Sequence, residues 1–196
     1  MEFGISLLME SLLQLDQSLF HFINEDCKNE FFDWLLPYWR NKLFWIPLYL
    51  LLLFSIIKTF SNKSWWLIGG LIITVGIADA LSSHVIKNQI QRIRPCNQDG
   101  FKETAHLLVP CGSGYSFTSS HATNHFAIAF FLILTIGKRW KWLQIPLFLW
   151  ACSIALAQVY VGVHYPLDVL AGGLLGTFIG YLIVWGLVKK FPKNNP

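Results

Sequence analysis

Three polar clusters interrupt an otherwise apolar chain: Lys87 through Arg94-Pro95, then Ser119-Ser120-His121, then His164 with Asp168 four residues on. An arginine offers a planar fork and a lysine a compact point charge, and both suit phosphate oxygens. Ser119 and Ser120 open an apolar stretch. At a helix start the backbone N–H groups lack intrahelical partners and the dipole favours an anion. A carboxylate bonded to one imidazole nitrogen, as Asp168 to His164, fixes the tautomer and leaves the other nitrogen free as nucleophile or base. Ionisable groups cost about 2.5–3.5 kcal/mol each at a bilayer centre. A membrane chain that keeps several therefore uses them, and this set is suited to handling phosphate.

Each cluster also has a plainer reading. Lys87, Arg92, Arg94 and Lys102 are equally readable as solvated loop charges. Ser119 is an ordinary helix N-cap candidate. His121 and His125 share a helix face at i, i+4, a zinc-binding spacing, but Ala122, Thr123 and Asn124 lie between them with no glutamate, so no metal site is expected. Asp79 stands eight residues before Lys87 on the face that holds Ser83, and is expected to pair with a basic group at the floor of the site. Cys96 and Cys111 bracket a polar stretch and are candidates for a disulfide.

The elements that must position these groups are apolar. Of 196 residues, 54% are hydrophobic, 16% aromatic and only 13% charged, too little polar surface for a soluble domain of this size. About 20 residues at about 1.5 Å rise span the hydrocarbon core. Five stretches approach that: Leu43 to Phe60, Trp65 to Ile86, Ser119 to Ile136, Trp142 to Val161 and Pro166 to Val188. Trp45, Trp65, Trp66, Trp140, Trp142 and Trp185 lie near their ends, as interfacial aromatics do.

Ahead of them, Ile5, Leu8, Met9, Leu12, Leu19, Phe20 and Ile23 recur at helical spacing opposite Glu10, Gln14, Gln17 and Ser18. This is an amphipathic helix expected to lie on the membrane, with a sixth span as the alternative. The start of the chain has no basic region and no small-residue cleavage site, so no removable signal peptide is expected. No fixed-period repeat or paired half is present.

One set of connections carries Lys58, Lys63, Lys138, Arg139, Lys141, Lys189, Lys190 and Lys193 with no acidic residue, which marks the cytoplasmic face. All three polar clusters then fall on the opposite, extracytoplasmic side. The net charge of +4 is spread over short connections, so nucleic acid is excluded as a partner.

In order and spacing the clusters resemble the signature of the type 2 phosphatidic acid phosphatase superfamily, the lipid phosphate phosphatases. That signature is a lysine, six residues and Arg-Pro; then Pro-Ser-Gly-His; then Ser-Arg, five residues, a histidine, three residues and an aspartate. Here the corresponding residues are Lys87, Arg94 and Pro95; Thr118, Ser119, Ser120 and His121; and Ala157, Gln158, His164 and Asp168. The resemblance covers about Leu43 to Leu187.

It implies that His164 attacks phosphorus to form a phosphohistidine, that Asp168 orients it and that His121 protonates the leaving lipid oxygen. Lys87, Arg94, Ser119 and Ser120 would hold the phosphate, with neither metal nor cofactor; beside the resemblance, Gln158 is read as an amide donor to the phosphate and Asp79 and Arg92 as support. Gln158 is the serious departure, since it replaces a cation whose charge-assisted bond is worth about 1.5–3 kcal/mol. Arg92 and Lys102 are candidate replacements.

The expectation is thus an all-α integral membrane bundle of about five transmembrane helices. It divides into an interfacial segment at 1–42, a catalytic domain at 43–188 and a basic cytoplasmic tail at 189–196. Its partners would be membrane lipids and a lipid phosphate substrate: undecaprenyl diphosphate, phosphatidylglycerophosphate or lipid A. It would sit in a bacterial inner membrane with the site on the periplasmic face. The rival readings are a catalytically silent lipid-phosphate-binding protein, favoured by Gln158, and a small transporter, favoured by Asp79, Asn124 and His125.

Overall fold

A computed structural model describes residues 2–190, and among them every regular element is helical. Residues 191–196, most of the expected basic tail, lie outside the described residues. The amphipathic segment forms α1 (Glu2–His21), which runs through a π-helical turn to Asp26. A second short helix, α2 (Glu30–Trp39), starts where the Asn29 side chain accepts the N–H of Phe32 at 3.0 Å and closes with Arg40. Then come α3 (Ile46–Phe60) and α4 (Ser64–Asp79), which continues through a π-helical stretch, Ala80–Ile86, into α5 (Lys87–Ile90). Gln91, at φ 52°, ends that span in the left-handed region. After a long loop come α6 (Ser120–Leu134), α7 (Gln144–Tyr160) and α8 (Pro166–Lys190).

Three helical runs are long and apolar enough to cross a membrane: Ser64–Ile90, Lys141–Tyr160 and Pro166–Leu187. Ile46–Phe60 and Ser120–Leu134 are apolar but shorter. These correspond, with shifts of a few residues at the ends, to the five stretches read from the sequence. Their outer faces carry large apolar side chains such as Leu51, Phe54, Ile72, Leu174 and Phe178, all exposed on the chain itself. Inside, the buried positions are rich in small residues, among them Ala78, Ala122, Ala127, Ala129, Ala151 and Ala157. Large outside and small inside is the expected distribution where lipid replaces water and helices gain by close approach.

The closest approach is between α6 and α8. Gly172, Gly176 and Gly180 recur at i, i+4, i+8 on α8, and a Cβ at Gly172 would come within 2.7 Å of the Ser119 carbonyl oxygen and one at Gly180 within 2.8 Å of that of Ala127. Hydrogen at those positions lets the two backbones touch. That contact sets the start of α6, with Ser119 and His121, beside the start of α8, with Asp168. The basic residues Lys58, Lys63, Lys138, Arg139 and Lys141 gather at the other end of the bundle, around the α3–α4 and α6–α7 connections. α1 packs inward through a single stripe, Asp16, Phe20 and Asn24, and leaves Leu8, Met9, Leu12 and Leu19 exposed.

Candidate active site

His164 lies in the short connection between α7 and α8. Gly162, at φ 84°, makes the turn possible, and a Cβ there would meet the His106 carbonyl oxygen at 3.1 Å. The backbone N–H groups of Val163 and His164 both donate to the Gln158 carbonyl at 3.2 Å, so the last turn of α7 fixes the histidine. His164 and Asp168 are buried, with 2% and 0% of their surface exposed.

The imidazole is oriented at both nitrogens. Nδ1 faces Asp168 Oδ2 at 3.5 Å and the Ser116 hydroxyl at 3.4 Å. Asp168 is itself held by the Ser116 hydroxyl and by the backbone N–H of Tyr165 at 2.9 Å, both on Oδ2. Nε2 points away from this cluster toward Arg94, whose Nη1 lies 3.3 Å off. Arg94 is fixed from behind, donating to the carbonyl of Gly114 at 2.8 Å and of Val163 at 3.0 Å. Burial pushes the His164 imidazole down to about 4, against the pull of Asp168. A neutral ring with its Nδ1 proton facing the acid leaves the Nε2 lone pair toward the cations.

The second cluster falls where expected. The Ser119 hydroxyl caps α6 by accepting the Ala122 N–H at 3.4 Å, and the Ser119 N–H donates to the Asp168 carbonyl at 3.0 Å. Ser120 shares a hydrogen bond with Ser83 at 2.8 Å. His121 opens onto a cavity of about 570 Å³ between α3, α4 and α6, with Ser120 and Asn124 at its polar end and Leu52, Ile56, Leu71 and Ile128 along its walls. His125 turns inward, with Nδ1 donating to the His121 carbonyl at 2.7 Å. Among the described residues no group of three or more histidine, cysteine or acidic side chains is placed to hold a metal.

Three expectations change. Asp79 does not pair with a basic group but accepts from the Asn124 amide at 3.0 Å and Ser83 at 3.3 Å. Eight residues correspond to about 12 Å of helix rise, too far for an ion pair with Lys87, whereas Asn124 on α6 sits level with it.

Arg92 is not a spare phosphate ligand. Its guanidinium bridges Asp168 at 2.7 Å and Asp16 at 2.5 Å and lies 4.1 Å over the Tyr165 ring. Lys102 is occupied at the surface by Asp99 at 2.6 Å.

Lys87 is half-buried and makes no ion pair among the described residues, though the charges of Arg94 and Asp168 both act on it. Cys96 and Cys111 are joined, and so close the loop that carries the stretch between Arg94 and Ser116.

Sequence reasoning missed Asp16, Ser116 and Arg40. Asp16 Oδ1 also accepts the Leu167 N–H at 2.7 Å, so α1 supplies a carboxylate to the first turn of α8.

With this geometry in place, the comparisons with known proteins decide the family. Residues 63–192 match the family model of the PAP2 superfamily. The chain belongs to the PAP2 superfamily. It is 32% identical to the lipid A 4'-phosphatase of Bacteroides thetaiotaomicron over 195 residues, covering 96% of this chain and 85% of that protein. It is 33% identical to the undecaprenyl-diphosphatase of Sulfolobus acidocaldarius over 162 residues, covering 81% and 72%. Its fold matches the crystal structure of a transmembrane PAP2 type phosphatidylglycerolphosphate phosphatase from Bacillus subtilis with a TM-score of 0.71 over 94% of this chain and 90% of that one, at 22% identity. This PAP2 protein is an integral membrane lipid phosphatase, and the residues matched to the family include all three polar clusters.

Proposed function

We propose that this PAP2 phosphatase removes a phosphate monoester from a lipid A-type glycolipid, through a phosphohistidine on His164 and without a metal ion. The observation that carries the reading is the two-sided setting of His164: Nδ1 faces Asp168 and Ser116, while Nε2 faces Arg94. The Nε2 lone pair attacks phosphorus as the bond to the lipid oxygen breaks, and His121 gives that oxygen its proton. A water molecule then attacks the phosphohistidine, His121 takes its proton, and His164 is released with inorganic phosphate. Lys87, Arg94 and the N–H groups at the start of α6, around Ser119 and Ser120, carry the charge on the transferring oxygens.

A lipid substrate is supported by the groove that runs from His121 between α3 and α4, polar at the Ser120 and Asn124 end and apolar along the walls formed by Leu52, Ile56, Leu71 and Ile128. A second apolar cavity of about 510 Å³, lined by Trp45, Leu48, Leu132 and Trp150, flanks the other side of α3 and gives room for further acyl chains. Among the possible lipids, lipid A is supported by the Bacteroides relative, whose match extends over nearly the whole chain. The run of basic connections at the far end supports a site on the periplasmic face of the inner membrane. The exposed apolar stripe of α1 rests in that leaflet.

The test is inorganic phosphate release by detergent-purified protein from lipid A, undecaprenyl diphosphate and phosphatidylglycerophosphate, with chelator present, beside His164→Ala. The expected result is chelator-resistant release, fastest from lipid A and abolished in the variant. Release only from one of the other lipids would replace the substrate. No release by folded wild-type protein would favour a silent binding protein instead.

A further inference from the structure

The residue where the family carries an arginine is Gln158, which is completely buried near the end of α7. Its side-chain oxygen accepts two hydrogen bonds from one guanidinium, that of Arg40: Nε at 3.1 Å and Nη2 at 2.9 Å. The two residues are 118 positions apart. Arg40 closes α2, its N–H donating to the Leu36 carbonyl at 3.1 Å. The end of α2 is tied down beside it. Trp39 Nε1 donates to Ser153 on α7 at 2.9 Å, and Trp45 Nε1 donates to the Trp39 carbonyl at 2.7 Å. The guanidinium is therefore tied to α7 through Gln158, and the end of α2 that carries it is anchored beside it.

Its charge has no local answer. Among the described residues Arg40 forms no ion pair with a carboxylate, and Asp168, the acid of the site, is already taken by Arg92. Instead it stands within electrostatic reach of Arg94 and of His121. Arg94 acts on both Arg40 and Lys87, Arg40 and Lys87 act on His121, and Arg94 and Lys87 act on His164, so the three like charges cluster around the two histidines. Such a cluster is favourable only when an anion arrives. A guanidinium has five N–H donors, and Gln158 occupies two of them. The Gln158 amide nitrogen is buried with no hydrogen-bond partner among the described residues, as expected of a donor whose acceptor comes with a ligand.

We propose that Arg40 is a phosphate ligand of this site, a cation delivered by α2 and positioned by Gln158 in place of a cation at position 158 itself. The proposal rests on the phosphatase reading. It adds an element outside the family-matched segment, which begins at residue 63, to the binding of the transferring group. An arginine at position 158 would face the Arg40 guanidinium, where Gln158 instead accepts from it.

The test uses the full-length protein in detergent and two readouts: binding of inorganic phosphate, measured by calorimetry, and kcat/KM for phosphate release from the best lipid. Arg40→Gln is expected to weaken both by about 10- to 100-fold, the loss of one charge-assisted bond. Arg40→Lys, which keeps the charge, should stay within about 10-fold of wild type. Gln158→Arg placed in the Arg40→Gln background should recover most of the loss, because the cation returns from the other side.

If Arg40→Gln leaves phosphate affinity and kcat/KM within about two-fold of wild type, Arg40 is not a ligand, although the phosphatase stands. If Arg40→Lys is as impaired as Arg40→Gln, and Gln158→Arg rescues nothing in proteins that elute and melt like wild type, Arg40 only braces α2. Should wild type neither bind phosphate nor release it from any lipid, the phosphatase reading fails and takes this one with it.

Discussion

The α6–α8 seam and the N-terminal helices α1 to α3 hold the same site by different means. The seam brings backbone against backbone along Gly172, Gly176 and Gly180, with buried alanines beside it, and places Ser119 against the Asp168 carbonyl at 3.0 Å. The N-terminal helices expose most of their large apolar residues and reach the site through polar ties: Asp16 to Arg92 and Leu167, Asn24 to the Tyr160 and His106 carbonyls, Arg40 to Gln158. Close packing leaves the groups on the seam little room to move. Polar ties are directional and individually weaker, about 1.5–3 kcal/mol when charged. They suit parts that meet a lipid of variable shape. Asp168, which faces His164, sits on the stiff half and Arg40 on the adjustable half.

The sharpest way to break the contrast is Gly176→Leu. A Cβ at Gly176 would come within 2.9 Å of the Ala127 nitrogen and closer still to the Thr123 backbone. The cost should exceed the ~1–3 kcal/mol usual for overpacking, because backbone cannot swing aside. Folded protein in detergent, judged by size-exclusion elution, should be lost. Recovery of a monodisperse, active protein would mean that the seam is not the rigid half.

Asp16→Asn tests a tie rather than a seam. It removes one of two carboxylates on Arg92 and the charge at the first turn of α8. The thermal midpoint should fall by the equivalent of about 1.5–3 kcal/mol while the protein still folds. The rate should drop with it, since Arg92 is left to Asp168 alone. A change in neither would detach α1 from the site.

The smallest effect is on acid sensitivity. The folded His164 value of about 4 lies below the ordinary 6.5, so between them the unfolded chain binds more protons than the folded one. His164 should therefore cost stability as pH falls from about 6.5 toward 4 and nothing above that window. Thermal midpoints compared at pH 7 and 5 should decline more for wild type than for His164→Asn. Equal declines would mean that the imidazole is wetter than its burial implies.

The parts legible in the sequence are those written in local spacing. Lys87 to Arg94, Ser119 to His121 and His164 to Asp168 each fall within one helix end or turn, and hydropathy located the spans that carry them. The close packing along the glycines at 172, 176 and 180 was not read from the sequence and comes from the structure. What stayed hidden is long-range. Asp16 meets Arg92 across 76 positions, Ser116 meets Asp168 across 52, and Arg40 meets Gln158 across 118, with no periodicity linking the members of any pair. A lone arginine after an amphipathic segment reads as a surface charge until the fold closes the distance. The substitution at position 158 was visible, whereas the residue that answers it was not.

The π-helical stretch Ala80–Ile86 divides its span into two registers. Each π turn accommodates one residue more than an α turn, so everything after it is rotated by about 100° relative to an unbroken helix. Upstream, α4 keeps Gly70, Thr74 and Ala78 turned into the bundle. Downstream, Lys87 and the loop to Arg94 are aimed independently of that packing. The wound-in extra residue therefore works as a phase shifter: adding or removing one amino acid there would swing the lysine around the helix axis and leave the buried contacts of α4 in place.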